Sequence, residues 1–234
     1  MTDSELKAIL TERLATVRSR IAVASRRAGR EPDKVTLVAV TKTVSTRVAS
    51  LLPELGVPDL GESRPQELWR KAEALRAFPI RWHMIGHLQR NKVERTLPLS
   101  YLIHSVDSAR LLDEIETQAR KQNLRPQVLL QINASHEDQK HGFDAEELAA
   151  ILPRQETLTV KIVGLMGMAA LSPDPEQARH AFGGLKAMID KHRGEHASLA
   201  QLSMGMSGDY EVAIEEGGTL VRVGSTLFEG LEGE

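Results

Sequence analysis

The chain has 234 residues, of which 41% are hydrophobic and 26% are charged, a balance typical of a soluble globular protein. Its net charge of −2 and its aromatic content of 3% argue against a nucleic-acid binder, which carries a basic face and often aromatic stacking platforms. Cysteine is absent, which excludes disulfides and thiolate chemistry. The apolar runs are too short for a membrane span, and residues 1–7 carry no signal-peptide pattern, so we expect a cytoplasmic protein.

The N-terminal segment carries a helical pattern. Its apolar side chains recur at steps of three and four, which places them on one face of a helix. They are Leu6, Leu10, Leu14, Val17, Ile21 and Ala24. Gly29 stands where a helix commonly ends, and Pro32 follows it. We therefore expect an extra N-terminal helix within residues 1–29, packed on the rest of the chain.

After this helix, short apolar segments alternate with amphipathic ones. The predicted strands are 35–40, 59–60, 81–85, 101–104, 127–132, 160–163, 199–202 and 219–223. Helical patterns lie between them, as at 109–122 and at 175–192, where Asp174 and Pro175 form a typical helix start. This alternation predicts an α/β fold, a single (β/α)8 TIM barrel over residues 1–234. A doubly wound open sheet is the alternative, because alternation alone does not establish closure.

Small and polar residues follow the predicted strands, and in a barrel the carboxyl ends of the strands form the active-site face. Lys42 follows the first strand, Ser63 the second and His87 the third. The loops after the last two strands contribute Met206, Ser207, Gly224 and Ser225. We therefore expect these side chains to share one end of the barrel.

Lys42 directly follows an apolar strand, so its ammonium would enter a closed rim with little water. Desolvation favours the neutral amine, which is the nucleophile that forms a Schiff base. The alternative is a lysine that extends from the barrel mouth into solvent, and position alone slightly favours that interpretation.

The loops after the last two strands have the composition of a phosphate cup. Barrels often bind phosphate there, because glycine lets the backbone approach while amide N–H groups and hydroxyls hold the oxygens. Ordinary turns rich in glycine and serine are the alternative. A lysine on the first strand together with such a cup is more specific than either feature alone, and it suits a small phosphorylated aldehyde.

Arg222 lies within the last strand between Val221 and Val223. Because side chains alternate along a strand, Arg222 points into the barrel if the two valines face the helices. A buried guanidinium needs an acceptor. Two acceptors remain open: a barrel carboxylate such as Glu62, or a ring nitrogen of a cofactor.

The histidines carry less information. We interpret His83 and His104 as core or rim residues with satisfied hydrogen bonds rather than as ligands. No pair of histidines and no carboxylate cluster has the spacing of a metal site, so we expect none.

Eight segments, in order along nearly the whole chain, match a known family. They are 37–43 (LVAVTKT), 61–67 (GESRPQE), 82–92 (WHMIGHLQRNK), 104–108 (HSVDS), 131–135 (QINAS), 164–166 (GLM), 202–207 (LSMGMS) and 221–225 (VRVGS). With these segments the chain resembles the YggS/PROSC family, the pyridoxal 5′-phosphate (PLP) homeostasis proteins.

The resemblance implies a fold-type III barrel similar to the N-terminal domain of bacterial alanine racemase. It implies that Lys42 holds PLP as a Schiff base and that Arg222 faces the pyridine nitrogen. The phosphate-binding residues it implies are Ser207, Gly224 and Ser225, and the remaining cofactor contacts are Ser63, His87 and Met206. Members have no established catalysis and act in intracellular PLP homeostasis. We therefore expect a monomer that binds PLP, with apo PLP-dependent enzymes as recipients and without nucleic-acid or membrane partners.

The chain departs from the family pattern beside the lysine and in the second loop. Thr41 stands where the family usually has serine, and Val44 and Ser45 replace its usual Lys-Pro. Threonine keeps the hydroxyl, so we expect little change there. Ser63 replaces the usual asparagine and shortens a polar contact near the cofactor.

Three functions are compatible with these residues. An arginine only donates hydrogen bonds, so opposite the ring nitrogen it leaves a weak electron sink, which favours a PLP carrier. A PLP-dependent amino-acid racemase or lyase is the second hypothesis, although the related racemases add a second domain and a tyrosine base. Tyr101 lies at the wrong end of the predicted barrel, whereas Tyr210 remains a candidate base. A PLP-independent Schiff-base aldolase is the third.

Overall fold

The computed structural model describes residues 1–133, 142–170 and 172–234. Among these residues, eight parallel strands pair in chain order, and the last pairs with the first to close a barrel. The strands are β1 (Thr36–Val40), β2 (Asp59–Glu62), β3 (Arg81–Met84), β4 (Leu102–Val106), β5 (Gln127–Gln131), β6 (Lys161–Met166), β7 (Gln201–Ser203) and β8 (Leu220–Val223). The predicted barrel is confirmed, and the open sheet is excluded.

Helices lie on the outside of the barrel, one before the first strand and the others after the strands. They are α1 (Asp3–Arg27), α2 (Thr46–Leu51), α3 (Pro65–Ala74), α4 (Val93–Thr96), α5 (Ala109–Gln122), α6 (Ala145–Ile151), α7 (Arg179–Arg193), α8 (Tyr210–Glu215) and α9 (Ser225–Phe228). Short 3₁₀ turns lie at Pro32–Lys34, Arg90–Lys92, Leu97–Leu99, Leu152–Glu156 and Pro175–Ala178. Within the described ranges, every helix is too short or too polar to span a bilayer.

The predicted elements differ from the observed ones mainly at their ends. The sixth strand runs from Lys161 to Met166 rather than over 160–163, because residues 164–166 pair with both β5 and β7. The helix predicted to start at Pro175 begins as a 3₁₀ turn and becomes α-helical at Arg179. The Asp174 side chain caps that turn as predicted, accepting the N–H of Glu176.

The N-terminal helix packs on the barrel as predicted. Thr2 and Glu5 form a reciprocal capping box at its start. All six residues of the predicted apolar stripe are buried. Burial of a leucine, isoleucine or valine side chain stabilises the folded state by roughly 1.5–3 kcal/mol relative to an exposed position. Arg13 and Arg30 extend the contact by donating to the carbonyls of Leu227 and Ile214. The helix therefore covers the wall formed by α8 and α9.

Alternation along the strands divides the core into two layers. One face of each strand packs against the surrounding helices. The other face fills the barrel interior with a separate apolar cluster: Val38, Leu102, Leu129, Met166 and Leu220. Polar residues at the carboxyl ends continue this interior face, so alternation also determines which of them point into the barrel mouth.

A buried ion pair joins the second strand to α3 on the outer wall. The Lys71 ammonium lies 2.6 Å from Glu62 Oε1 and donates to the Thr41 carbonyl at 2.6 Å. The Thr41 hydroxyl donates to the same carboxylate oxygen, also at 2.6 Å. Glu62 Oε2 is buried and lacks a hydrogen-bond partner among the described residues. This network holds the backbone of Thr41, the residue before Lys42.

Candidate functional site

A cavity of about 640 Å³ opens at the carboxyl ends of the strands. Its volume is typical of sites that bind small molecules. The residues that line it include every one predicted for the site: Lys42, Ser63, His87, Met206, Ser207, Arg222, Gly224 and Ser225. Side chains from distant parts of the chain thus share one cavity because parallel strands in a barrel all end at the same face.

Lys42 reaches the cavity through the alternation of the first strand. Val38 lies in the interior cluster, and Val40 and Lys42 both line the cavity. The Lys42 side chain is exposed, so the expectation of a closed rim with little water was wrong, and the alternative of a lysine that extends from the mouth into solvent describes its position. The reason is that β1 ends at Val40, which places Lys42 beyond the packed part of the barrel, at the mouth.

The loops after the last two strands are joined at the cavity. Ser207 Oγ accepts the backbone N–H of Gly224 at 3.1 Å and that of Thr226 at 3.5 Å. Asp209 stabilises the first loop by accepting the N–H of Met206 at 2.6 Å. Gly205 takes a left-handed conformation (φ +87°) in which a Cβ would lie 2.6 Å from that of Ala213. Backbone amides of the final loop therefore meet an oxygen acceptor at the cavity wall.

Arg222 points into the barrel interior, as alternation predicts, and is 4% exposed. Its Nη1 donates to Ser203 Oγ at 2.5 Å, and its Nη2 donates to the Gly167 carbonyl at 3.1 Å. Burial lowers the pKa of the guanidinium to about 10, so it stays charged at neutral pH. The ion pair with Glu62 is not formed, because Glu62 faces the outer wall and pairs with Lys71.

The second and third loops form the opposite wall. They touch at Gly86, where a Cβ would lie 2.1 Å from the Ser63 carbonyl oxygen, so a side chain is excluded. His87 Nδ1 lies 3.0 Å from Asp107 Oδ2, and both residues line the cavity. Ser105 donates to the Gly86 carbonyl at 2.6 Å and fixes the same turn.

Several lining residues were not among the predicted site residues. Gln131 ends a buried strand, so the rule that identified the other strand ends also points to it. Met168 and Ser172 come from the loop between β6 and α7, and no sequence pattern marks them. Residues 134 and 135 of the QINAS segment lie outside the described residues.

The two tyrosines lie away from the described cavity lining. Tyr101 precedes β4 at the opposite end of the barrel, as predicted. Tyr210 is buried, with the Arg20 guanidinium 5.5 Å from its ring centre. Burial also raises the pKa of its phenol above the usual value. Tyr210 therefore packs beneath α1 and is not placed to act on a ligand in the cavity.

The donor set of the cavity fits a phosphorylated aldehyde. Its primary amine can react with an aldehyde, and its buried guanidinium can donate to a neutral acceptor. Its backbone amides and hydroxyls can bind a phosphate. In the part of the chain that the structure describes, no three histidine or carboxylate side chains are grouped to hold a metal ion.

Known proteins are similar to this chain in sequence and in fold. A PLP homeostasis protein from Aquifex aeolicus is 41% identical over 93% of this chain and 96% of its own length. The solved structure of PipY from Synechococcus elongatus, with PLP bound, is 32% identical with a TM-score of 0.82, covering 94% of this chain and 99% of PipY. Alanine racemase from Clostridium difficile shares the fold alone, at 18% identity and a TM-score of 0.72, covering 94% of this chain and 56% of the racemase.

The fold and the cavity define a class of barrels with a lysine after the first strand and loops rich in glycine and serine after the last two. The family model described as alanine racemase, N-terminal domain, matches residues 13–231. The chain belongs to this family and, within it, to the pyridoxal phosphate homeostasis proteins, the YggS/PROSC group.

Proposed function

We propose that this protein binds PLP as a Schiff base on Lys42 and acts in intracellular PLP homeostasis rather than in catalysis. The observation that carries the proposal is that Lys42, the buried guanidinium of Arg222 and the amide-bearing loop at Gly224 line one cavity. The PLP bound to PipY and the names of the curated relatives support the same ligand and role.

The chemistry of attachment needs little from the protein. The Lys42 amine adds to the aldehyde carbon, a C=N bond forms, and the carbonyl oxygen leaves as water. Ser207, Gly224 and Ser225 hold the phosphate, and Arg222 donates to the ring nitrogen. Ser63, His87 and Met206 contact the rest of the ligand. Because Lys42 is exposed at an open mouth, water can reverse the condensation and release PLP.

The position of the tyrosines supports a carrier. Tyr210 is buried beneath α1, and Tyr101 lies at the far end of the barrel, so neither is placed as a base. We further propose that apo PLP-dependent enzymes are the recipients, which is tested by following their activation on mixing with loaded protein. The monomeric state, the single domain over 1–234 and the cytoplasmic location stay predictions.

One observation favours the racemase or lyase hypothesis. The hydrogen bond between His87 and Asp107 is the arrangement in which a carboxylate orients an imidazole for proton transfer. A general base contributes about 10²–10⁴-fold to such a step. Loaded protein should therefore be incubated with D- and L-amino acids in deuterated water, with free PLP as the reference. We expect α-proton exchange no faster than with free PLP.

Exchange about 100-fold above free PLP would contradict the carrier proposal. His87→Gln then identifies the base, because it removes the imidazole and keeps a polar side chain. Loss of the exchange in this variant would establish the catalytic hypothesis for this pair.

Gly208 allows a direct test of the phosphate cup. It lines the cavity, and a Cβ there meets nothing within 4 Å, so a side chain fits without strain. We expect Gly208→Asp to weaken PLP binding about ten-fold through repulsion of the phosphate. Gly208→Asn is the uncharged control of the same shape. Equal weakening of pyridoxal, which lacks the phosphate, would place the phosphate elsewhere; affinities are measured by absorbance titration.

A further inference from the structure

A chain of polar side chains runs through the barrel interior, away from the cavity. Arg222 donates to Ser203 Oγ, and Ser203 Oγ lies 2.7 Å from His104 Nδ1. His104 Nε2 lies 2.8 Å from His83 Nδ1. His83 Nε2 lies 2.9 Å from Asp59 Oδ1. We call Ser203, His104, His83 and Asp59 the interior relay.

Every member of the interior relay is buried. Ser203, His104 and His83 are 0% exposed, and Asp59 is 4% exposed. They lie on four different strands, from β2 to β7. Since a buried polar group without a hydrogen-bond partner destabilises the folded state, each of these groups needs the partner that the structure provides.

The two ends of the chain determine its direction. Arg222 can only donate, so Ser203 Oγ accepts at the cavity end. At the far end, Arg81 donates to both oxygens of Asp59, at 2.7 and 2.5 Å. Burial alone raises the pKa of Asp59, but the hydrogen bonds from His83 and Arg81 outweigh it and lower this pKa below its usual value. Asp59 is therefore an ionised acceptor, and His83 Nε2 carries a proton.

One proton arrangement satisfies the links between these ends when both imidazoles are neutral. His83 Nδ1 must accept, so His104 Nε2 donates. His104 Nδ1 then accepts, and the Ser203 hydroxyl donates to it. In the reverse arrangement His104 Nδ1 would donate to Ser203 Oγ, and the Ser203 hydroxyl proton would need another acceptor. Among the described residues Ser203 Oγ contacts only His104 and Arg222, and Arg222 cannot accept.

The charges around the imidazoles support this arrangement. Burial, followed by repulsion from His83 and Arg222, lowers the pKa of His104 well below its usual value. His83 faces Asp59 on one side and the ring of Tyr101, whose centre lies 5.6 Å away. The aligned hydrogen bonds present their negative ends to Arg222 and their positive ends to Asp59, so they stabilise both charges.

We propose that Ser203, His104 and His83 are positioning residues that hold the Arg222 guanidinium charged and oriented toward the ring nitrogen of the ligand. The proposal rests on the proposed function, since the ring nitrogen is that of PLP. It explains how Arg222 is buried without a direct ion pair among the described residues: attraction to Asp209 offsets part of the effect of burial on its pKa, and the relay connects the guanidinium to Asp59.

The first test uses the protein without PLP. Long-range ¹H–¹⁵N NMR distinguishes the protonated nitrogen of each imidazole. We expect His83 and His104 both as Nε2–H tautomers, and we expect His104 to keep this form between about pH 5.5 and 8.5, because its pKa lies well below the usual value. An Nδ1–H form at either residue, or titration of His104 in this range, would overturn the relay.

The second test measures whether the relay acts on the ring nitrogen. PLP binding is compared with that of 1-deaza-PLP, in which carbon replaces this nitrogen. We expect Ser203→Ala to reduce the preference of the protein for PLP over the analogue about ten-fold. Ser25→Ala removes a buried hydroxyl of α1, away from the relay, and should leave the preference unchanged.

The outcomes separate this inference from the proposed function. If the unsubstituted protein binds no PLP, the proposed function fails, and with it the role of the relay. If it binds PLP and Ser203→Ala weakens PLP and the analogue equally, Ser203 has a structural role only and the inference fails. Should Ser203→Ala not fold, the NMR result on the unsubstituted chain still decides the direction of the relay.

Discussion

Replacing Lys42 with alanine is expected to abolish the covalent attachment of PLP. Lys42 supplies the amine at the cavity mouth, and without it no C=N bond forms there. Phosphate contacts alone would leave reversible, non-covalent binding. The measurement is the visible absorbance of reconstituted protein, followed by borohydride reduction and mass spectrometry of the labelled peptide.

Two variants control this experiment. Lys42→Arg keeps the positive charge but cannot condense with the aldehyde, so it should behave like Lys42→Ala. Lys161→Ala removes an exposed lysine at the start of β6, at the other end of the barrel, and should keep full labelling. Label retained on another lysine in Lys42→Ala, at the level of the unsubstituted protein, would show that Lys42 does not carry the ligand.

Lys71→Met is expected to lower the free energy of unfolding by about 3–5 kcal/mol, because it leaves the Glu62 carboxylate buried without its counterion. The side chains of Lys71 and Glu62 are 1% and 0% exposed, so water cannot compensate for the loss. The variant also removes the donor to the Thr41 carbonyl, directly before Lys42. The change in the free energy of unfolding is measured by urea titration with circular dichroism as the probe.

The matched comparisons separate burial from charge pairing. Lys121→Met breaks an exposed pair with Glu94 and should leave the free energy of unfolding almost unchanged. The double variant Lys71→Met with Glu62→Met removes both buried charges and should recover most of the stability. If Lys71→Met and Lys121→Met lower the free energy of unfolding by similar amounts, the buried pair does not stabilise the fold more than an exposed pair.

The acceptor of Arg222 illustrates where sequence reasoning stops. Alternation predicts its inward direction, but the guanidinium contacts Ser203 and the Gly167 carbonyl rather than Glu62. Likewise, His83 and His104 were predicted to be satisfied core or rim residues, and the structure shows them linked to each other and onward to Arg222. These partners lie on different strands, so no local pattern pairs them.

The sequence alone determined the elements and the face on which the site lies. Apolar residues that recur every two residues indicate a strand, and those that recur every three to four indicate a helix. Because parallel strands all end at one face of a barrel, Lys42 and the last two loops had to lie at the same face. The folded structure was needed to show that Lys42 is exposed, that Glu62 turns outward to Lys71, and that the interior relay connects Arg222 to Asp59. Exposure and hydrogen-bond partners depend on residues far apart in the chain, and only closure of the barrel brings those residues within a few ångströms of each other.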